Sequence, residues 1–310
     1  MNKKNSLIIG SGVLGAYMSK ELVKRNYNVI VTSRNIKKLK NYDYLNLRKK
    51  IKFENLNILD KLKIEKIILK YNPEKIFYFA GQSSITKSLK LKKETFNSHY
   101  IGTKNFLDVL NKRSLKTKFF KANSGYIFKS KNGIISLKCE FSKNNNPYIK
   151  TQQKVFKLIN KYRNKNLNLF NLIFLQIESP LRDKDFLIKK ICIHAKNKKK
   201  IEVGNIKNIR DYSWIEEICK AVFFTSKLSA RDIIISTGAK LSVKKALQTS
   251  YKKSGLNYIN FFSQNKKFFR KNEEKILIGK KSNHKILTTK FKFKFKFTGE
   301  KIVKKMYKLI

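Results

Sequence analysis

Proline is nearly missing from this 310-residue chain, which holds three: Pro73, Pro147 and Pro180. Glycine numbers only 12. No Pro-, Gly- or Ser-rich stretch divides the chain, so any second domain must grow out of the loops of the first. Cysteine is scarce too. Cys139, Cys192 and Cys219 are odd in number and widely spaced, which excludes a disulfide framework and a zinc pattern. No metal is expected, and a reducing cytoplasm is the expected setting. Long apolar runs are also lacking. The longest candidate, Phe170 to Ile177, is broken by Asn171 and Gln176 and falls short of a membrane span. The basic start Met1-Asn2-Lys3-Lys4-Asn5 leads only into Leu7-Ile8-Ile9, with no cleavage-site pattern after it, so no signal peptide is expected.

The scarcest class is acid. Twenty Asp and Glu face 72 Lys and Arg, for a net charge of +52. Such a charge invites a nucleic-acid reading. Only nine of the cations are arginine, however, the residue that base-reading proteins favour, and the lysines are spread along the whole chain. Abundant Asn, Ile and Phe complete the mix that an AT-rich coding sequence produces. No specific nucleic-acid partner is expected; weak attraction to RNA or anionic membranes is all the charge implies.

Hydrophobic residues make up 41% of the chain, enough for a substantial core. Strand-like runs fall at Ser6–Ile9, Tyr27–Thr32, Ile51–Phe53, Lys75–Phe79, Lys118–Lys121, Asn168–Phe174 and Asp232–Ser236. Helical patterns lie between them at Leu62–Tyr71, Lys92–Leu110, Tyr148–Tyr162 and Ile215–Thr225. Alternation of this kind predicts an α/β fold with a parallel sheet covered on both faces. Near the C-terminus, Phe291 to Phe297 alternates strictly with lysine, which predicts a strand with one apolar face and lysines guarding its edge.

The first strand runs into Gly10-Ser11-Gly12-Val13-Leu14-Gly15, and a helix follows with Leu14, Met18 and Leu22 on one face. This is the setting a dinucleotide needs. Gly10 makes the turn, Gly12 admits a pyrophosphate to the backbone, and Gly15 packs helix on strand. The helix opening at Val13 and Leu14 offers free N–H groups to the anion. The second strand ends in Val31-Thr32-Ser33-Arg34, with no acid for a ribose hydroxyl and with Arg34 placed to meet a 2′-phosphate. NADP is therefore expected over NAD. The fold class expected is a doubly wound parallel Rossmann sheet with a smaller C-terminal substrate-binding region. Its division falls at 1–177 and 178–310, and residues 212–240 or so return to the sheet.

A longer series of motifs runs in one order. It comprises Asn72-Pro73-Glu74-Lys75-Ile76-Phe77-Tyr78-Phe79-Ala80-Gly81-Gln82-Ser83-Ser84, Ala122-Asn123-Ser124, Asn146-Pro147-Tyr148 and Ile177-Glu178-Ser179-Pro180. Gly204-Asn205, Arg210-Asp211-Tyr212, Ser236-Thr237-Gly238 and Phe269-Arg270-Lys271-Asn272-Glu273 follow. In order and spacing the series resembles the extended short-chain dehydrogenases/reductases of the sugar-nucleotide epimerase/dehydratase kind, above all the GDP-mannose 4,6-dehydratases. That resemblance implies a soluble homo-oligomer, dimer or tetramer, acting on a nucleotide sugar with the cofactor as internal hydride carrier. A tyrosine takes the sugar 4-OH proton, a Ser or Thr bonds the 4-oxygen, a glutamate removes the C5 proton before water leaves C6, and a lysine four residues after the tyrosine holds the cofactor ribose.

Position by position, the resemblance gives Tyr148 the base, Ser124 the hydroxyl, Ala80 and Gly81 cofactor contacts, and Gln82 and Ser83 substrate contacts. Lys190 and Arg210 match diphosphate positions, Arg270 and Glu273 the nucleotide end, and Glu178 a turn entering the substrate region. Three positions depart from the pattern. Gln152 stands at the lysine position, Tyr126 at the glutamate position, and Asn57 at an acid position near the adenine. Lys150 and Lys154 lie off the helix face that Tyr148 shares with Gln152. The function expected is a GDP-mannose 4,6-dehydratase-type activity; the alternative is a catalytically impaired sugar-nucleotide-binding homologue lacking the family lysine and glutamate.

Overall fold

Leu7, Ile8 and Ile9 have no exposed surface, the mark of a strand covered on both faces. In the computed structural model, which describes residues 3–37, 39–269 and 273–310, all seven expected runs form strands. They are β1 (Asn5–Ile9), β2 (Asn28–Ser33), β3 (Lys52–Asn55), β4 (Lys75–Tyr78), β5 (Lys118–Ser124), β6 (Leu169–Phe174) and β7 (Asp232–Ile235). One sheet holds them in the order β7-β6-β5-β4-β1-β2-β3. The pairs β3 with β2, β2 with β1, β1 with β4 and β4 with β5 are parallel. Strand order reverses between β1 and β4, the point where doubly wound sheets open a crevice at their carboxyl ends. The fold is the expected doubly wound Rossmann type.

The helices follow from their caps and apolar faces. Helix α1 (Val13–Lys24) opens at Gly12, and α2 (Lys61–Tyr71) at Asp60, whose carboxylate accepts from the Lys63 amide at 2.9 Å. Ile64, Ile67 and Ile68 of α2 share a core with Phe106, Leu107 and Leu110 of α3 (Gly102–Lys112). The helix expected over Lys92–Leu110 is interrupted. Lys92–Phe96 is α-helical, Asn97–Ile101 widens into a π-turn, and α3 continues from Gly102. Such widened turns gather at functional sites. Helix α4 (Pro147–Arg163) covers the same core with Val155, Leu158 and Ile159. Within the sheet, Phe120 stacks on Phe77 at 4.7 Å and on Phe170 at 4.4 Å.

The chain divides into two compact units. The first is Met1–Ile127, Phe141–Ile173 and Cys219–Ile233; the second is Phe128–Glu140, Phe174–Ile218 and Ile234–Ile310. In the second unit, helices Leu187–Lys196, Val243–Lys253 and Glu300–Leu309 bury Ile188, Ile191, Leu247, Tyr251, Val303 and Met306 together. No helix among the described residues is long and apolar enough to cross a membrane.

The expected C-terminal strand is corrected. Lys285–Phe291 is a helix that ends at Lys292 with φ +50°, and residues 292–297 pair with no strand among the described residues. The alternating phenylalanines find separate anchors in place of a sheet. Phe293 meets Phe295 edge-on at 5.0 Å, Phe295 meets His284 at 5.3 Å, and Phe297 lies 6.4 Å from Trp214 under the Lys305 ammonium. Glu217 takes the place of a neighbouring strand, its carboxylate accepting from the Lys296 and Phe297 amides at 2.7 and 3.2 Å. Removing it leaves two peptide donors without their charged acceptor. Glu217→Ala should therefore lower unfolding free energy by about 2 kcal/mol in urea titration. A loss within error of zero would show that water replaces the carboxylate.

Candidate functional site

The glycine turn meets each of its steric demands. Gly10 has φ +102°, and a Cβ there would sit 2.8 Å from the backbone N and Cα of Ala80. The loops after β1 and β4 thus touch at the sheet's switch point. A Cβ on Gly15 would lie 2.2 Å from the Gly10 carbonyl oxygen and 3.2 Å from Ile8 Cγ2, so helix α1 sits hard against β1. Around Gly12 the opposite holds. No atom lies within 4 Å of its would-be Cβ, and no side chain caps the helix that begins at Val13 and Leu14. The first-turn amides keep their affinity for an anion. Ser11 bonds Ser33 at the end of β2 at 2.9 Å. The next residue, Arg34, is exposed, 3.9 Å from Glu94. Asn57 closes a turn beyond β3 by accepting from the Leu59 amide.

Beneath α4 lies a group of buried polar side chains. Asn146 accepts from the Tyr148 amide at 2.9 Å and Pro147 takes the first helical position, so Tyr148 stands in the first turn. Its ring meets His99 of the π-turn edge-on, 5.6 Å between centroids. One turn on, Gln152 is buried, its Nε2 3.4 Å from His99 Nδ1, while its Oε1 has no partner among the described residues. His99 Nε2 lies 2.8 Å from the Gln82 carbonyl oxygen. A carbonyl only accepts, so Nε2 carries the proton and Nδ1 offers its lone pair to the Gln152 amide. Burial first, and Lys121 second, push the His99 pKa down to about 3. The imidazole is neutral. Gly81, at φ +133°, leaves room for that ring: a Cβ would fall 2.3 Å from His99 Cε1. Ser83 beside it is exposed.

Lys121 on β5 is 1% exposed. Its ammonium donates to the Ala122 carbonyl at 2.7 Å and lies 5.0 Å from the Tyr78 ring, and burial brings its pKa down to about 7. At the end of the strand, Asn123 donates to the Gln152 carbonyl at 3.2 Å, and Ser124 Oγ accepts from the half-buried Tyr126 amide at 3.3 Å. Tyr148, Gln152, Ser124 and Tyr126 are thereby tied to one stretch of β5 and α4. Sequence reasoning missed His99 and Lys121. One signal for Lys121 was legible: alternation puts it on the same strand face as Phe119, which is buried.

In the second unit Arg210 is buried. Its guanidinium donates to Glu273 at 2.8 Å and to the Lys275 carbonyl at 3.1 Å, while Asn208 holds the other Glu273 oxygen at 3.0 Å. Arg210 and Glu273, assigned to different ends of a substrate, are joined as an ion pair. Arg270 lies outside the described residues. Lys190 donates to the Glu202 carbonyl at 3.2 Å, with its ammonium 5.0 Å from the Phe268 ring. Asp211 is fully buried and accepts from the Thr237, Gly238 and Gly279 amides. No cluster of metal-ligating side chains occurs among the described residues.

Glu178 is 2% exposed and its Oε2 has no partner among the described residues. Burial lifts its pKa from 4.5 to about 7, against the pull of Arg182 and Lys189. The folded chain therefore holds this proton where the unfolded chain has lost it, so its contribution to stability is full below pH 4.5 and drains away as pH rises to about 7. Glu178→Gln should gain on the parent across that window, by at most about 1.4 kcal/mol per pH unit in denaturant titrations. Parallel curves for the two proteins would mean that the carboxyl is solvated.

The chain matches the GDP-mannose 4,6 dehydratase family over residues 7–306. It is 24% identical to GDP-mannose 4,6 dehydratase 2 of Caenorhabditis elegans over 199 residues, which is 61% of this chain and about half, 52%, of the worm protein. Identity to GDP-mannose 4,6-dehydratase of Vibrio cholerae is also 24%, over 83% of this chain and 73% of that protein. Among solved structures, UDP-glucuronic acid 4-epimerase of Bacillus cereus, in complex with UDP-glucuronic acid and NAD, superposes with a TM-score of 0.85 at 17% identity, covering 98% of each chain. With a family match that spans both units, the chain belongs to the GDP-mannose 4,6 dehydratase family, among the sugar-nucleotide epimerases and dehydratases.

Proposed function

We propose that this chain dehydrates GDP-mannose at C4–C6, working as a homo-oligomer with NADP as its nicotinamide cofactor. The observation that carries the reading is the glycine turn at the switch point, with Tyr148 held in the first turn of α4. The residues fit a dinucleotide. Gly12 leaves its surroundings open, the α1 amides are uncapped, and Gln152 Oε1 is a buried acceptor in want of a donor such as a ribose hydroxyl. A nicotinamide held there would supply reversible hydride transfer.

The chain's own residues handle protons and position. Tyr148 takes the proton of the sugar 4-hydroxyl, and Ser124 hydrogen-bonds the same oxygen. Gly10 to Gly15, Ala80 and Gly81 would hold the cofactor, and Arg34 would bind its 2′-phosphate. Gln82, Ser83, Glu178, Lys190, Arg210, Arg270 and Glu273 serve the nucleotide sugar. Tyr126 stands where the C5 base belongs. A phenol is a poor substitute for a carboxylate base there, so slow turnover is the expected outcome. That substitution, with Gln152, favours one second reading: a chain that binds the nucleotide sugar without converting it.

Incubation with GDP-mannose and NADP, followed by mass spectrometry, separates the two. The dehydratase yields a sugar lighter by one water with no net cofactor consumed. Binding by calorimetry without product supports the second reading, and absence of both removes the substrate assignment. Arg34→Ala should weaken NADP about tenfold, as expected for one charge-assisted hydrogen bond, and leave NAD unchanged. An equal effect on both cofactors in equilibrium titrations would remove Arg34 as the phosphate contact.

A further inference from the structure

Gln152 is 2% exposed, and the two ends of its amide fare differently. Its Nε2 lies 3.4 Å from His99 Nδ1, while Oε1 has no partner among the described residues. A buried acceptor left unpaired opposes folding, and a methionine would fill the same space without that cost. An oxygen kept on such terms points to a donor that comes from outside the chain.

His99 decides which end of the amide is left over. Its Nε2 lies 2.8 Å from the Gln82 carbonyl oxygen, which can only accept. The proton therefore sits on Nε2, Nδ1 presents a lone pair, and burial keeps the ring neutral. Only the NH2 end of Gln152 can meet that lone pair. The opposite orientation would set Oε1 against Nδ1, acceptor against acceptor. With both ring nitrogens committed, His99 has no proton to exchange in a reaction.

The ring itself is held in place. The Thr103 hydroxyl donates to the His99 carbonyl at 2.6 Å, within the widened turn. Gly81 presses on the ring from the loop after β4, where a Cβ would fall 2.3 Å from Cε1. Tyr148 meets the ring edge-on, with centroids 5.6 Å apart. Gln152 is anchored from the other side, because Asn123 of β5 donates to its main-chain carbonyl at 3.2 Å. Its main chain is fixed by β5 and its amide by the π-turn, so the direction of Oε1 is set before any ligand arrives.

We propose that His99 is a positioning residue: by accepting from the Gln152 amide, it holds Gln152 Oε1 as the acceptor for a ribose hydroxyl of the nicotinamide cofactor. The proposal rests on the reading of the crevice as a dinucleotide site. The orientation originates at the Gln82 carbonyl and passes through the tautomer of one ring to the side chain beyond it.

Nitrogen NMR of the whole chain, with labelled histidine at neutral pH, reads the tautomer without turnover. The imidazole that disappears in His99→Phe should carry its proton on Nε2 and show a bare, hydrogen-bonded Nδ1. Gln152→Met should leave that proton in place and remove the hydrogen-bond signature at Nδ1. Equilibrium titration with NAD and with NADP supplies the second readout. His99→Phe fills the ring's space but offers no lone pair, and it should weaken cofactor binding about fivefold to tenfold, as should Gln152→Met. The double variant should bind no more weakly than Gln152→Met alone, since His99 acts through Gln152. His99→Leu repeats the cycle should the phenylalanine variant fold poorly. A proton on Nδ1, or losses that add in the double variant, overturns the proposal and leaves the cofactor reading in place. A parent with the expected tautomer that binds neither cofactor removes the cofactor reading, and with it the ligand assigned to Oε1.

Discussion

The close approach of two loops governs the first unit. Gly10 can be nothing larger because Ala80 stands against it, and Gly15 can be nothing larger because the Gly10 carbonyl does. Those contacts set the height of α1 above the sheet and leave its uncapped amides facing the crevice at the strand ends. Ser33 and Arg34 fall beside that crevice because β2 pairs with β1 in register up to Thr32. The rest of the site is hung from the same sheet. Lys121 pairs across β4–β5 with Tyr78, and the end of β5 bonds α4.

Scarcity of acid shapes what the remaining carboxylates do. Asp211 gathers three amides and Glu217 two, and Glu273 holds Arg210. Each of these replaces a backbone or side-chain partner that regular structure would have supplied. In a chain of net charge +52, carboxylates used this way also offset self-repulsion inside the fold. Glu178 is the exception. Buried with an unpartnered oxygen, it is driven toward its neutral form.

The sheet was legible because its strands are short apolar runs set between helical patterns, and a run such as Leu7-Ile8-Ile9 has one reading once Gly10 follows it. The cap at Asn146 and Pro147 was legible from two residues. Three things were not. Phe291 to Phe297 has the period of a strand, yet period reports only that alternate side chains share a face; it cannot report whether a neighbouring strand is there to pair. His99 was hidden, and Lys121 betrayed only by strand alternation, for a different reason. A lysine in a chain with 72 cations carries no signal by identity, and its burial depends on long-range packing of β4, β5 and the π-turn. The Arg210–Glu273 pair was hidden likewise, since two residues 63 apart meet only through the fold.

The π-turn at Asn97–Ile101 has a bearing on how this chain tolerates length changes. A widened turn accommodates one residue more than the α-helix around it. Loss of one residue there would let the helix close into regular α-form at little local expense. The extra residue is what the widened turn holds, so the α-helical turns on either side would keep nearly the same angular position about the axis. The change would fall on the widened turn itself, which carries His99 and its contacts with Gln82 and Gln152, while Phe106, Leu107 and Leu110 kept the core intact. The segment is thus a point where a single-codon deletion could spare the fold and erase the buried polar group.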